Sequence, residues 1–224
     1  LTHRDDDALP RFRAAAEALL DEVDPVLATA IRERLASDAG AGGDYYGALI
    51  GRPDDALFEA REPATIAALT RLMTLSEEAQ SAARYFQRPD ALRRIAALQT
   101  ALAESPDVGK TNALPDVVKL VNRELRGGQA NDYRIPDTAA AVAQTLLQYQ
   151  SSHRPQDLWH MVTPDLSSTA IWVQLRSGDN QHMSRVMQTL EAYLAEEPMP
   201  DNVQVRWAGK PFLHVVWQDA MVRG

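Results

Sequence analysis

The sequence predicts a helix-rich α+β fold. Apolar residues recur at helical spacing over most of the 224 residues. Two short segments in the last third, Ser168–Leu175 and Val203–Trp207, instead alternate in side-chain character, as strands with two different faces do. Proline and glycine residues mark most of the boundaries between these segments.

The first third of the chain is predicted to be helical. One helix precedes Pro25, and a second begins at Pro25, because proline suits the first turn of a helix. The Gly-rich residues 38–44 are predicted to form a flexible break. Helical spacing resumes in two stretches, Pro63–Met73 and Ser76–Phe86.

From Pro89 onward the predicted elements are a helix, a strand, a helical insertion, a strand, a helix and a strand. This order matches most of a ferredoxin-like split β-α-β unit, although no strand is recognisable ahead of the Pro89 helix. We expect the strands near Val108, Ser168 and Val203 to share one sheet. A last helix is predicted at Phe212–Val222.

The predicted elements divide the chain into two parts. Residues 1–87 form a helical subdomain that acts as a cap or docking region, and residues 88–224 form an α/β subdomain. A chain of this length can bury a sizeable core in one or two domains.

Composition and charge exclude several classes of function. The formal net charge is −8, so the surface repels the phosphate backbone and we expect no nucleic-acid partner. Cysteine is absent, which excludes disulfides and thiolate chemistry. No apolar run is long enough to span a membrane, and the polar start is unlike a signal peptide. Because the first residue is Leu, we expect the chain to be a piece of a longer protein.

The motifs that would indicate catalysis or metal binding are missing from the sequence. Gly109-Lys110-Thr111 resembles the end of a phosphate-binding loop, but Glu104 stands where that loop needs its first glycine. The five histidines lack zinc-site spacing, and no serine lies in a nucleophile elbow. We therefore expect no enzymatic activity, no catalytic residues, no metal and no cofactor.

Aromatic and methionine residues are concentrated in the last third of the chain. Four of them, Tyr149, Trp159, Met161 and Trp172, are predicted to line part of an apolar ligand cleft. Trp172 lies on the strand face opposite Ile171 and Val173. The alternative is that these side chains are ordinary core residues.

Five segments carry a resemblance to a known family. In order and spacing over residues 76–224, they resemble periplasmic loops of RND-superfamily exporters of the MMPL-like branch. The segments are RPDALRRIAALQTALAESPDVGKTNALPDVVKLVNREL (88–125), YRIPDTAAAVAQTLLQY (133–149), DLWHMVTPD (157–165), WVQLRSGDN (172–180) and VRWAGKPFLHVVWQDAMVRG (205–224).

The resemblance implies a porter-type α/β subdomain at the periplasmic face of a bacterial inner membrane, with the C-terminal segment leading into a membrane helix. In this family, proton flow through the membrane part drives transport. The implied partners are the remainder of the same transporter, a hydrophobic lipid cargo and a periplasmic lipid carrier or adaptor protein.

Two hypotheses of function follow. In the first, the domain binds hydrophobic cargo, with a polycyclic isoprenoid such as a sterol or hopanoid favoured by the resemblance. In the second, it is an assembly module that docks a periplasmic partner or a second protomer without binding cargo. The direction of Trp172, Trp159 and Tyr149 discriminates between them, because a shared cleft favours cargo and a flat apolar patch favours assembly.

Overall fold

The computed structural model describes residues 1–37, 43–152 and 154–223, so most of the predicted break at 38–44 lies outside the described residues. The chain divides into two compact units. The helical unit comprises Asp5–Tyr85 and Asp165–Ser167. The α/β unit comprises Leu1–Arg4, Phe86–Pro164 and Ser168–Gly224. The helix-rich α+β class predicted from the sequence is confirmed.

The described part of the helical unit is built from four helices. Prolines occupy the first position of the second and fourth helices, where their missing N–H costs no hydrogen bond. The second helix is also capped by the Asp24 carboxylate, which accepts a hydrogen bond from the Val26 amide at 2.9 Å. The helices are α1 Ala8–Leu20, α2 Pro25–Leu35, α3 Gly43–Glu59 and α4 Pro63–Ala83.

An aromatic cluster lies in the core of the helical unit. The Phe12 ring meets the Tyr46 ring edge to face, with 4.9 Å between centroids and 82° between planes. Tyr45 packs at 5.3 Å from Tyr46, and its hydroxyl donates to the Leu35 carbonyl at 2.8 Å. Buried aliphatic residues complete this core: Ala16, Leu20, Val23, Ala28, Ile31, Leu35, Leu49, Ala56, Ala68, Leu69 and Leu72.

Two helices differ from the prediction. No helix was predicted over α3, whose interior contains Pro53, a residue that usually ends a helix. The two stretches predicted on either side of Leu75 form one helix, α4. The Ser76 hydroxyl donates to the Leu72 carbonyl at 2.8 Å, so its polar group is satisfied inside the helix and does not break it.

The α/β unit places two helices over one face of its strands. These helices are Pro89–Ala103 and Asn180–Glu196. Their side chains that are buried together with Val108 are Leu98, Leu102, Val186 and Leu190. The elements of this unit are β1 Thr2–His3, α5 Pro89–Ala103, β2 Val108–Ala113, α6 Leu114–Leu125, α7 Ala139–Gln150, β3 Ile171–Leu175, α8 Asn180–Glu196, β4 Val203–Gln204 and α9 Lys210–Arg223.

The strands form two antiparallel pairs, β2 with β3 and β1 with β4. A single antiparallel bridge between Thr2 and Ser168 connects the two pairs. Beside that bridge, the Leu1 nitrogen donates to the Thr169 carbonyl, and the Thr169 amide donates to the Leu1 carbonyl, each at 2.8 Å. The structure therefore has two two-stranded sheets, which meet at this isolated bridge.

The prediction that the strands near Val108, Ser168 and Val203 share one sheet is wrong, because β2 and β3 form one two-stranded sheet while β4 pairs with β1 in another. The segment Leu1–Arg4 pairs with β4 on one side and with Ser168 and Thr169 on the other. That segment was predicted to belong to the helical subdomain 1–87, whereas it packs within the α/β unit. The division between units at Tyr85 and Phe86 lies beside the predicted boundary at 87 and 88.

In the part of the chain that the structure describes, no helix has the length and apolar character needed to cross a membrane.

Candidate functional site

An apolar cleft of about 490 Å³ lies beside β3 in the α/β unit. One wall is β3 with the two residues before it, and the opposite wall is the segment that follows β4. Side chains of α5 and α8 form the floor. The lining residues are Leu1, Leu98, Leu102, Thr169, Ala170, Ile171, Trp172, Val173, Leu175, Met183, Leu190, Val205, Arg206, Trp207, Ala208, Gly209, Pro211 and Phe212.

The cleft surface is mostly aliphatic and aromatic, with Arg206 as the one ionisable side chain among its lining residues. The Arg206 side chain is exposed, and its Nη2 donates to Gln204 Oε1 at 2.8 Å. Pockets of 300 to 1,000 Å³ with apolar walls and a few polar groups are typical of small-molecule sites. The cleft therefore suits an apolar ligand that carries a single polar group.

Backbone groups also face the cleft. Thr169 directs its N–H and C=O toward Leu1, with which it exchanges two hydrogen bonds. Because this direction alternates along a strand, Ile171 and Val173 direct their N–H and C=O to the same side of the strand as Thr169 does. On the other wall, the Asn202 carbonyl accepts a hydrogen bond from the Arg4 amide. Arg206 lies four residues further along the chain, so alternation directs its backbone groups to the same side as those of Asn202, toward β3. Within the described residues, no hydrogen bond from across the cleft reaches these three positions.

The structure brings three of the four predicted site residues close to one another. The Trp172 indole Nε1 donates to the His160 carbonyl at 2.9 Å, which places the ring beside the 3₁₀ turn Pro155–His160 that carries Trp159. The next carbonyl, that of Met161, accepts from the Ala170 amide at 2.8 Å.

Of the four, only Trp172 is among the residues that line the cleft, and it is 59% exposed. Trp159 is 40% exposed, Met161 is half-buried, and Tyr149 is half-buried near the end of α7. The role of Tyr149, Trp159 and Met161 in ligand binding stays a prediction.

The sequence prediction did not include most of the cleft. Trp207 and Phe212 come from the segment after β4, while Met183 and Leu190 project from α8. Their signal in the sequence is the alternation of Val203, Val205 and Trp207 and the helical spacing of α8. Those patterns indicate only an inward-facing side chain, and they do not separate a packed core from an open cleft.

The α/β unit also contains a carboxyl group with a lowered pKa, that of Asp107, just before β2. Arg185 on α8 donates to both Asp107 carboxylate oxygens, at 2.7 and 2.8 Å, and holds the pKa of this carboxyl at about 2 against the opposing effect of burial. His182 Nδ1 lies 2.5 Å from Asp107 Oδ1. This cluster fastens α8 to the start of β2, and therefore fixes the floor of the cleft relative to its strand wall.

We expect Asp107→Asn to remove an acid-sensitive part of the stability of this unit. The folded pKa of about 2 lies below the ordinary value of 3.8, so the carboxylate stabilises the fold above pH 3.8 and loses this effect as the pH falls toward 2. Urea unfolding between pH 2 and 7 should show a smaller pH dependence in the variant. The exposed Asp201→Asn is the matched control, and equal pH profiles for the two variants would contradict the assignment.

Among the residues that the structure describes, no cluster of three or more His, Asp or Glu side chains is arranged to hold a metal ion. No protein-family model matches the chain, and comparisons with curated proteins and with solved structures give no match either.

Proposed function

We propose that the chain is a cargo-binding periplasmic domain of a proton-driven RND-superfamily transporter of the MMPL-like branch. The observation that carries the proposal is the apolar cleft beside β3, which lies in the unit that contains the motif segments of the resemblance. In this proposal the domain acts at the periplasmic face of the inner membrane, with the rest of the transporter and a lipid carrier or adaptor as partners.

The arrangement of the strands supports a ferredoxin-like porter subdomain within this proposal. In chain order the elements β1, α5, β2, β3, α8 and β4 follow the β-α-β-β-α-β pattern of a split β-α-β unit. The helices α6 and α7 are inserted between β2 and β3. The helical unit is inserted between β1 and α5, which explains why no strand was recognisable directly ahead of the Pro89 helix.

The cargo proposed is a hydrophobic polycyclic lipid such as a sterol or hopanoid. Burying ~300 Å² of apolar lipid surface contributes about 7 kcal/mol before the costs of association. A rigid ring system suits the stiff walls formed by Trp172, Trp207 and Phe212, while Met183 adapts to an irregular outline. A lipid hydroxyl needs a polar partner, and Arg206 or the backbone groups of β3 offer one.

A fluorescent sterol tests this proposal by direct titration. We expect saturable binding with a dissociation constant in the micromolar range, because a transporter domain must release its cargo; this constant corresponds to about −8 kcal/mol. Trp172→Ala should weaken binding by about 1 to 3 kcal/mol. Since Trp172 is 59% exposed, its loss should leave thermal unfolding nearly unchanged.

Trp217→Ala is the matched control for this titration. Trp217 lies on α9, is 65% exposed and is outside the cleft lining, so this variant should bind the sterol like the original chain. Equal losses in both variants would mean that the sterol adsorbs to exposed tryptophan, and a destabilised Trp172→Ala with unchanged affinity would mean that Trp172 serves packing alone.

The assembly hypothesis is favoured by a different feature, an exposed apolar stripe on α9. Leu213, Trp217 and Met221 recur every four residues and are 60, 65 and 66% exposed. Sedimentation equilibrium of the chain and of Trp217→Ser tests this second candidate. Self-association that the substitution abolishes would support it, and a monomer at all concentrations would count against docking of a second protomer.

A further inference from the structure

The outer face of the sheet formed by β2 and β3 carries aromatic and polar side chains. The residues of β3 that pack against the core beneath α5 and α8 are Ile171, Val173 and Leu175. Alternation along the strand therefore places Trp172 and Gln174 on the opposite face, which we call the outer face. Both side chains are exposed, that of Trp172 to 59%.

The neighbouring strand β2 adds two polar side chains to this face. Asn112 is the ladder partner of Trp172. Lys110 is the partner of Gln174. Directly opposed side chains of an antiparallel pair lie about 5 Å apart on the same face, and residues two apart on one strand are separated by about 7 Å. The four side chains therefore enclose an area comparable to one saccharide ring with its hydroxyl groups.

The Trp172 indole is held in place by its own hydrogen bond. Its Nε1 donates to the His160 carbonyl at 2.9 Å, which fastens the ring to the 3₁₀ turn Pro155–His160. A fixed indole offers a broad, stiff surface, and a ligand that packs on it costs little side-chain entropy. The C–H groups on one face of a saccharide ring are weakly positive and suit the negative face of an aromatic ring.

The amide side chains beside the indole are suited to hydroxyl groups. An Asn or Gln side chain presents both a donor and an acceptor, and a saccharide hydroxyl group can use either. Within the described residues, the side chains of Asn112 and Gln174 have no hydrogen-bond partner. A ligand therefore breaks no internal hydrogen bond when it binds to them.

The charge on the outer face is positive, although the chain has a net charge of −8. Neither β2 nor β3 contains an acidic residue, and Lys110 has no ion pair among the described residues. Arg176 follows β3 directly, and its Nε donates to the Val108 carbonyl at 3.2 Å, which places a second cation beside the start of β2. The Asp107 carboxylate, just before β2, is bound by Arg185 of α8. The outer face therefore attracts a negatively charged group.

We infer that the outer face binds a saccharide ring that carries an acidic group. The ring packs on Trp172, and the amides of Asn112 and Gln174 bind its hydroxyl groups. Lys110 and Arg176 attract the acidic group. A free anion would leave the indole and the amides unused, and a neutral saccharide would leave the cations unused. The inference goes beyond the proposed lipid cargo, because of these five residues only Trp172 also lines the apolar cleft.

A titration followed by NMR tests the inference at the side chains themselves. The probes are the methyl glycosides of glucuronic, galacturonic and mannuronic acid, with methyl glucoside and sodium sulfate as the neutral and ring-free comparisons. We expect at least one uronide to shift the side-chain N–H signals of Trp172, Asn112 and Gln174 in the millimolar range, and the glucoside to bind at least about threefold more weakly. No shift with any uronide, equal affinity for the glucoside, or the same shifts with sulfate alone would overturn the inference.

Lys110→Gln removes the contact with the acidic group and leaves the ring contacts in place. Lys110 is exposed and outside the cleft lining, so this variant should fold normally, bind the uronide at least about threefold more weakly and retain its affinity for the glucoside. Lys210→Gln, at an exposed lysine on α9, is the matched control and should retain the affinity for the uronide. Equal losses in the two variants would show that net charge alone attracts the uronide, and would overturn the inference.

The two sites can be tested separately, because Lys110→Gln leaves the cleft lining unchanged. We expect this variant to bind a fluorescent sterol with the same affinity as the original chain. Uronide binding in a chain that binds no sterol would leave the saccharide site standing and contradict the proposed cargo, whereas sterol binding without uronide binding would do the reverse.

Discussion

Replacing Val173 with arginine is expected to weaken sterol binding by about 100-fold or more, which corresponds to about 2.7 kcal/mol. Val173 lies on β3 in the wall of the cleft, beside the apolar floor. A guanidinium placed there either fills the cleft or must be desolvated when cargo enters, and burying an unpaired charge is costly. The affinity is measured by titration with a fluorescent sterol.

Gln174→Arg is the matched control for this substitution. Gln174 is the next residue on the same strand, its side chain is exposed, and it is outside the cleft lining. This variant should retain the original affinity. Val173→Thr is a second, milder variant for the case that Val173→Arg does not fold. Threonine keeps the shape and the strand preference of valine and adds one polar group to the wall of the cleft. Unchanged affinity in a folded Val173→Arg would contradict the assignment of the cleft.

Replacing Phe12 with alanine is expected to lower the free energy of unfolding by about 3 to 5 kcal/mol, the usual cost of removing a buried phenylalanine. Phe12 is 5% exposed and packs edge to face against Tyr45 and Tyr46. Its removal leaves a cavity in the helical unit and also removes two aromatic contacts. Urea unfolding followed by circular dichroism at helical wavelengths measures the effect.

Phe58→Ala is the control in the same unit. Phe58 lies on α3 and is 86% exposed, so its truncation should change the unfolding free energy by no more than about 0.5 kcal/mol. A similar loss of stability in the two variants would show that the aromatic cluster around Phe12 is not the core of this unit.

Local chemistry explains which helices could be predicted from the sequence. The start of α2 agrees with the predicted one, because Pro25 lies in the first turn, where proline costs no hydrogen bond. In contrast, α3 contains an internal proline and follows a Gly-rich segment, which are signals of a break. Tertiary packing of Tyr45, Tyr46 and Leu49 overrides them.

Pairing over long sequence distances explains what could not be predicted. The strand β1 has two residues, too few to show a period, and its partner Val203–Gln204 is about two hundred positions away. The ion pair of Asp107 with Arg185 spans 78 positions. The cleft likewise combines Leu1, Leu98, Trp172 and Trp207, and the sequence indicated apolar character at these positions but not that they share one surface.

Lipid that copurifies with the chain would show whether the cleft holds a hydrophobic polycyclic molecule. The purified chain and its Val173→Arg variant are extracted with organic solvent, and the extracts are compared by mass spectrometry. We expect a polycyclic lipid near one molecule per chain in the original protein and its loss from the variant. Extracts without such a lipid, or with equal amounts from both proteins, would show that the cleft does not hold it.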